Sequence, residues 1–365
     1  MSQYGYTNNP FSICFTSLKM KYSEYDKSID ESTVITSDNT INVFISVESV
    51  LTNLSMIRDL ENKLLLERNF PIILESEFIN LCAHYKRFFR ENGLKTKIFM
   101  YYTNLKSDEF INFKVNDEYR SYYINKYMQN PKFQLLGKKL VSTIIPTIKK
   151  IMEFIPNVYF IEATNFEGSL IPKIVASKST TNSKNFIITS DRYDTQYLLD
   201  NDFMTHYLKR STSGSRIHYR FNSFIEDLFN ENHEDNTGIQ LFNNDSFYSI
   251  LLASLGDKTR SIDPIKGIGT KTILKTLNAG IVNGEILKDS KSFDIISTIF
   301  SKDYIEELSN NYDCININKQ CEELSDQFVF DITSQIIDRF DYNSLLLLNS
   351  TTYKDYPLML PELTE

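Results

Sequence analysis

The chain has 365 residues, 47 acidic and 39 basic, and 41% of them are hydrophobic. That is enough apolar material for a real core in one large domain or two ordinary ones, which excludes a disordered or collagen-like chain. Four cysteines with no Cys-x-x-Cys pair and four scattered histidines argue against a zinc site and require no disulfide. With no N-terminal apolar run and no long apolar segment, the sequence reads as soluble and intracellular with no membrane partner. Abundant Asn, Ile and Lys suit an AT-rich coding genome such as many viruses carry, which would place the protein in a host cytoplasm.

Residues 1–40 are rich in Ser, Thr, Tyr and Asn and read as an extension of low helical content. Ile41-Asn42-Val43-Phe44-Ile45 is a short, β-branched apolar run, the pattern of a buried strand. A helical stretch to about residue 92 precedes a second strand at 97–102. Helix-compatible sequence over 105–155 leads to a third at 158–162, and 185–190 supplies a fourth, ending at Asp191. Strands alternating with helices predict an α/β fold with a mainly parallel sheet flanked by helices. Ligands of such sheets sit beyond the carboxyl ends of the strands, so chemistry is expected just after these four runs. From about Ser223 onward the chain reads as mostly helical.

Charge is unevenly spread. From Asp303 to Glu365 there are 13 acidic and 3 basic residues, leaving 34 acidic and 36 basic in the first 302. The body is near neutral and the last segment strongly acidic. Such a segment is expected to be solvated or to face a protein partner, and it can compete with DNA for a basic surface. The reading divides the chain into an extension (1–40), an α/β domain (41–210), a helical region (211–302) and an acidic segment (303–365). Protein partners are expected at the first and the last.

The helical region holds the most informative motif. A helix ends at Gly256-Asp257, and nine residues later comes Gly267-Ile268-Gly269-Thr270-Lys271-Thr272. A Gly-x-Gly turn lets two helices meet closely and aims backbone N–H groups at one place. The next helix adds partial positive charge there. A nucleic-acid phosphate, with a bridging monovalent cation, suits such a turn. It is not a Walker loop, because Gly269 is followed by Thr270 rather than Lys.

The order Gly-Asp, loop, Gly-Ile-Gly-x-Lys-Thr resembles the helix–three-turn–helix of the flap endonuclease and 5′–3′ exonuclease family. With the strand order, the resemblance runs from about residue 41 to 277. It implies a PIN-like α/β domain followed by this helical element, and a duplex or branched DNA partner. It also implies a carboxylate cluster holding two divalent cations for phosphodiester hydrolysis. Lys258, Lys266, Lys271, Arg216 and Arg220, with Gly267, Gly269 and Thr270, become the expected phosphate contacts. Residues 117–123 fall where the family has its basic arch, but without the family's Pro and with less basic character.

Matched residue by residue, the expected acids are mostly gone. Ser46 stands at the family's Asp after the first strand, with Glu48 two residues on. Tyr102-Thr103-Asn104 offers no acid after the second. After the third, Glu167 remains while Ser169 and Leu170 replace two Asp. After the fourth, Asp191 remains and the second acid is displaced to Asp194 or lost to Tyr193. In the turn element Asp257 remains, Arg260 replaces the second acid, and Asp263 lies three residues on. Glu167, Asp191, Asp194 and Asp257 read as a vestigial site. Glu167, Asp191 and Asp257 are its expected metal ligands, converging to hold Mg2+ or Mn2+ weakly, with no cofactor required. Arg260 is expected to pair with Asp257 in place of a cation. The leading expectation is a DNA-binding accessory factor without efficient nuclease activity, in a viral replication, recombination or transcription assembly. Two alternatives stay open: an active, divergent metal-dependent 5′ nuclease, and an interaction subunit that kept the fold and lost DNA binding.

Overall fold

In the computed structural model of the chain, the described residues are 40–58, 70–103, 140–163, 166–178, 184–198, 203–210, 216–219, 245–257, 262–285, 295–297, 300, 302–324, 326–337 and 341–365. The N-terminal extension and the arch-like residues 117–123 lie outside them.

The core is one six-stranded sheet. β1 (Thr40–Ser46), β2 (Lys95–Thr103), β3 (Val158–Ala163), β4 (Lys184–Thr189) and β5 (Phe203–Arg210) pair in parallel, and β6 (Arg216–Tyr219) runs antiparallel to β5 at one edge. The spatial order is β3-β2-β1-β4-β5-β6. All four expected strands are present, each within a residue or two of its expected bounds.

β5 and β6 are strands the sequence reading did not assign. Phe203–Arg210 mixes polar and aromatic residues without a clean apolar run, and sheet pairing overrides its weak local signal. The sheet therefore continues past residue 210 to Tyr219, into the stretch expected to be helical.

The strands read as continuous apolar runs because both sheet faces are covered. Along β1, Ile41, Val43 and Ile45 enter one core and Phe44 the other. The first face packs α1 (Val47–Arg58), α2 (Phe70–Glu91) and α3 (Ile145–Met152). The second packs α4 (Ile171–Lys178), α5 (Asp245–Leu255) and α6 (Thr270–Val282). On that second face Phe44, Phe99 and Tyr159 stack in a row with 5.1 Å between successive ring centroids.

The acidic segment is not a solvated tail. It forms α7 (Lys302–Ile315), α8 (Ile317–Glu323), α9 (Asp326–Thr333), α10 (Tyr342–Thr351) and α11 (Leu360–Thr364). Leu308, Ile315 and Ile332 belong to the second-face core, whereas Leu345, Tyr353 and Leu363 belong to the first. Between α9 and α10 the chain therefore rounds the β3 edge of the sheet. There the Gln335 side chain takes the place of a neighbouring strand. Its Oε1 accepts from Glu162 N at 2.8 Å, and its Nε2 donates to Glu162 O at 3.1 Å. An open strand edge is thus capped.

α2 receives the end of the chain. Tyr353 donates to the buried carboxyl of Glu75 at 2.9 Å, and the Asn80 side-chain oxygen accepts from Met359 N at 2.9 Å. Lys86 Nζ donates to the carbonyls of Leu363 and Pro156 at 2.6 and 3.0 Å. Burial pushes the Glu75 pKa up to about 7 and pulls that of Lys86 down to about 8. The negative charge misled the sequence reading because the acids occupy the outer helix faces while alternate apolar residues face inward.

Candidate functional site

β1, β2, β3 and β4 end together, so their carboxyl-terminal residues share one rim of the sheet. Ser46 closes β1 and pairs in register with Tyr101 of β2. Thr103 closes β2 and Thr189 closes β4. The chain after each strand turns back over this rim through short helical turns, Gly168–Leu170 after β3 and Tyr193–Leu198 after β4.

A web of hydroxyls around one carboxylate fills the rim. Asp194 is fully buried, and its Oδ2 accepts from Thr189 Oγ1 at 2.6 Å and from Tyr101 OH at 3.1 Å. Thr189 Oγ1 in turn accepts from Asp191 N at 3.0 Å and lies 3.3 Å from Ser49 Oγ. Ser49, in the first turn of α1, accepts from Ser190 N at 3.2 Å, and its carbonyl accepts from Ser190 Oγ at 2.7 Å. Burial first, and the Asp194 charge second, hold the Tyr101 phenol well above its usual range, so it stays a proton donor at neutral pH.

Two of the residues standing where the resemblance expects acids have structural contacts, Thr103 through its hydroxyl and Ser169 through its carbonyl. Thr103 Oγ1 accepts from Gly168 N at 2.9 Å, docking the turn after β3 onto the end of β2. A Cβ on Gly168 would lie 3.0 Å from that hydroxyl and 3.1 Å from the Tyr102 carbonyl carbon, so a side chain there would press on the end of β2. Ser169 is buried and its carbonyl accepts from Tyr197 OH at 2.7 Å.

The four expected acids have different fates. Asp194 is held inside the web. Asp191 tops the turn after β4, its Oδ1 accepting from Tyr193 N at 3.0 Å. Glu167 is nearly buried at the start of the turn after β3. Asp257 sits in the helix–turn element, in a two-residue antiparallel bridge with Ile262. Among the described residues, no three His, Cys, Asp or Glu side chains are grouped so as to hold a metal ion. Glu167, Asp191 and Asp257 thus do not form the converging cluster expected of them.

A pair of divalent cations does not fit this donor set. Hard cations need several carboxylates aimed into a shared opening. Here the most central carboxylate is buried and accepts two hydroxyl protons on one oxygen, and among the described residues no group of three such donors surrounds an opening. Tyr101, Thr189 and Ser49 carry the arrangement, and the sequence reading missed all three. Tyr101 and Tyr102 stand together as polar-tipped residues after the apolar run of β2, but nothing in the sequence singles out Tyr101 or marks Ser49.

The helix–turn element differs. α5 ends at Gly256, which has φ +62°, and a Cβ there would lie 2.4 Å from the Ile262 carbonyl oxygen. The returning chain is bound by Asp257 N to Ile262 O at 2.8 Å, Ile262 N to Asp257 O at 3.0 Å and Ile265 N to Ser254 O at 3.0 Å. From α7, Asn311 donates to the carbonyls of Ala253 and Asp263 at 3.0 and 2.9 Å. Close approach was expected at Gly267 and Gly269, yet the crowded glycine is Gly256. Gly267 has φ +80°, which explains glycine there, but a Cβ on it or on Gly269 would meet nothing within 4 Å. Both are exposed, as are Lys266 and Lys275. Thr270 and Lys271 are the first residues of α6.

The remaining basic candidates separate. Arg216 was expected in the helical region, but it opens β6 and pairs in register with Arg210 on the edge hairpin. Lys258, Arg220 and Arg260 lie outside the described residues, so the proposed Arg260–Asp257 pair does too. No described helix is long and apolar enough to cross a membrane.

By sequence, no family profile and no curated protein matches the chain. By structure, it is similar to the bacteriophage T5 flap endonuclease in a pseudo-enzyme–product complex with DNA and metal ions. That likeness has a TM-score of 0.50 at 13% identity and covers 80% of this chain and 98% of the other. It is likewise similar to the T5 5′-exonuclease with bound zinc, with a TM-score of 0.51 at 12% identity over 80% of this chain and 99% of the other. At such identity the likeness speaks for architecture rather than activity, and on that basis the chain has a flap endonuclease-like, PIN-like α/β fold.

Proposed function

We propose that the protein binds duplex or branched DNA through the phosphate backbone without hydrolysing it efficiently. It would act as a structural or accessory factor in a viral DNA replication, recombination or transcription assembly. The observation that carries this reading is the contrast between two places. At the strand ends Asp194 is consumed by Tyr101 and Thr189. At the turn, by contrast, Gly267 and Gly269 keep open space with exposed Lys266 beside them.

On this reading Lys266, Lys271 and the N–H groups of the turn meet phosphates, with a monovalent cation as bridge, and binding is independent of base sequence. Glu167 and Asp191 offer at most a weak site for Mg2+ or Mn2+, and the reading requires no cofactor. The DNA complex of the T5 enzyme supports the nucleic-acid partner by its fold alone.

The test is to incubate the full chain with labelled flap and duplex DNA, with and without Mg2+ or Mn2+, scoring binding and cleavage together. Salt-sensitive binding without metal-dependent cleavage is expected. Robust cleavage abolished by Asp191→Ala would make this an active divergent nuclease. Absence of any salt-dependent affinity would leave an interaction subunit that kept the fold and lost DNA binding.

A further inference from the structure

The open tip of the helix–turn element is not fixed by close packing, since a Cβ on Gly267 or Gly269 would meet nothing within 4 Å. Its direction is set at the base, where the chain leaves α5 and returns. Within the element the base is tied by the Asp257–Ile262 bridge and by Ile265 N donating to Ser254 O. A further tie comes from outside it. Asn311 of α7 donates from one Nδ2 to Ala253 O at 3.0 Å and to Asp263 O at 2.9 Å. The first carbonyl belongs to the last turn of α5, and the second to the returning chain, three residues before Lys266. One amide therefore joins the two limbs of the loop.

The far end of the same helix pair is tied as well. Asn316, just after α7, is buried and donates to Ser249 Oγ at 3.1 Å. Ser249 Oγ donates to Gln196 Oε1 at 3.3 Å, and Gln196 Nε2 donates to Ile315 O at 2.9 Å. Gln196 lies in the turn after β4 that carries Asp194. Because Asn311 meets Ala253 and Asn316 meets Ser249, α7 lies antiparallel along α5 as a splint. Leu308 and Ile315 of α7 share the second-face core with Ile250 and Leu251 of α5, which seats the splint on the sheet. The side chains in these ties are neutral amides and a hydroxyl, so salt does not screen them as it screens a phosphate contact.

An amide that bridges two limbs of a loop favours one arrangement of them, and a site already arranged loses less freedom on binding. We propose that Asn311 is a positioning residue of the phosphate-binding turn, holding the returning limb against α5 so that Lys266 and the N–H groups of the turn have a fixed place before DNA arrives. This rests on the DNA-binding reading. It gives the acidic segment a part in that reading other than competition with DNA, because α7 holds the turn that DNA meets.

The test compares the full chain with Asn311→Leu and Asn311→Gln. Leu is close to Asn in size, adds no charge and favours helix more, so α7 persists, as melting curves check. Labelled duplex DNA is titrated at several salt concentrations. Amide hydrogen exchange is followed at Asp257, Ile262 and Ile265 and in the strands of the sheet. Asn311→Leu is expected to bind about 5- to 10-fold more weakly, because fewer molecules hold the competent turn. Its salt slope is expected to equal that of the wild type, because no phosphate contact is lost. Exchange at the three loop amides is expected to quicken while the strands keep their protection. Asn311→Gln retains both N–H donors and is expected to recover part of the affinity. Wild-type affinity or wild-type exchange in Asn311→Leu, a lowered salt slope, or Asn311→Gln no better than Asn311→Leu would overturn the proposal. So would a loss of protection shared equally by the strands, because Asn311 would then serve only global stability. Absence of salt-dependent affinity in the wild type would instead overturn the DNA-binding reading, and with it this role for Asn311.

Discussion

The rim of the sheet and the helix–turn element hold the candidate site residues, and they are built in opposite ways. At the rim, Asp194 is buried and accepts from Tyr101 and Thr189, with Ser49 beside Thr189. At the turn, Gly267 and Gly269 remain open and exposed beside Lys266. The difference shows that one fold can enclose a carboxylate at one place and keep glycines open at another. A buried carboxylate costs less when hydroxyls donate to it. An open turn stores little strain and has less to gain from closing.

The largest expected effect tests the turn's foundation rather than its tip. Gly256→Ala forces a side chain into the Ile262 carbonyl at a positive φ and should cost about 3–4 kcal/mol, read as a large fall in Tm. Gly269→Ala, with open space around it, should leave Tm nearly unchanged. Similar losses at both positions would erase the distinction between a packed base and an open tip.

Next comes the rim. Asp194→Ala leaves the buried hydroxyls of Tyr101 and Thr189 without their acceptor and should destabilise by about 2–3 kcal/mol. A working metal cluster would answer in the opposite sense, because removing one of several repelling acids raises stability. A rise in Tm for this variant would therefore break the comparison.

A third test takes the same chemistry to the other face of the sheet, where Glu75 is buried against Tyr353. Its pKa is raised from 4.5 to about 7 by burial, so the folded state holds a proton that the unfolded state releases across that window. The stability from protonated Glu75 is present below about pH 4.5 and is lost as pH rises to about 7. Glu75→Gln should exceed wild type in stability by about 1–2 kcal/mol at pH 8, with the gap closing toward pH 5 in thermal melts. A gap independent of pH would show that the carboxyl is not the cause.

The smallest effect is at the open tip. Lys266→Ala should weaken duplex binding by roughly two- to fivefold, alike for all sequences, and lower the salt slope by about 1 in titrations at several ionic strengths. No change in that slope would remove Lys266 from the phosphate contacts.

Much of this was legible from particular residues. Ile41–Ile45 and the three later apolar runs each declared a buried parallel strand, because burial on both faces demands continuous hydrophobicity. Gly256-Asp257 and Gly267-Ile268-Gly269 marked two helices and the turn between them. Local pattern determined these points, since each depends on neighbours a few residues away along the chain.

Tertiary structure alone decided the rest. β5 and β6 exist because a sheet edge was available to pair with them. Asp194 differs from Asp191 only in which way a short helical turn faces. The acidic segment completes both cores because its apolar residues pack against elements far earlier in the chain, and Lys86 Nζ holds the Leu363 carbonyl across 277 positions. Contacts across such separations depend on how the whole chain closes, and no local pattern encodes that closure.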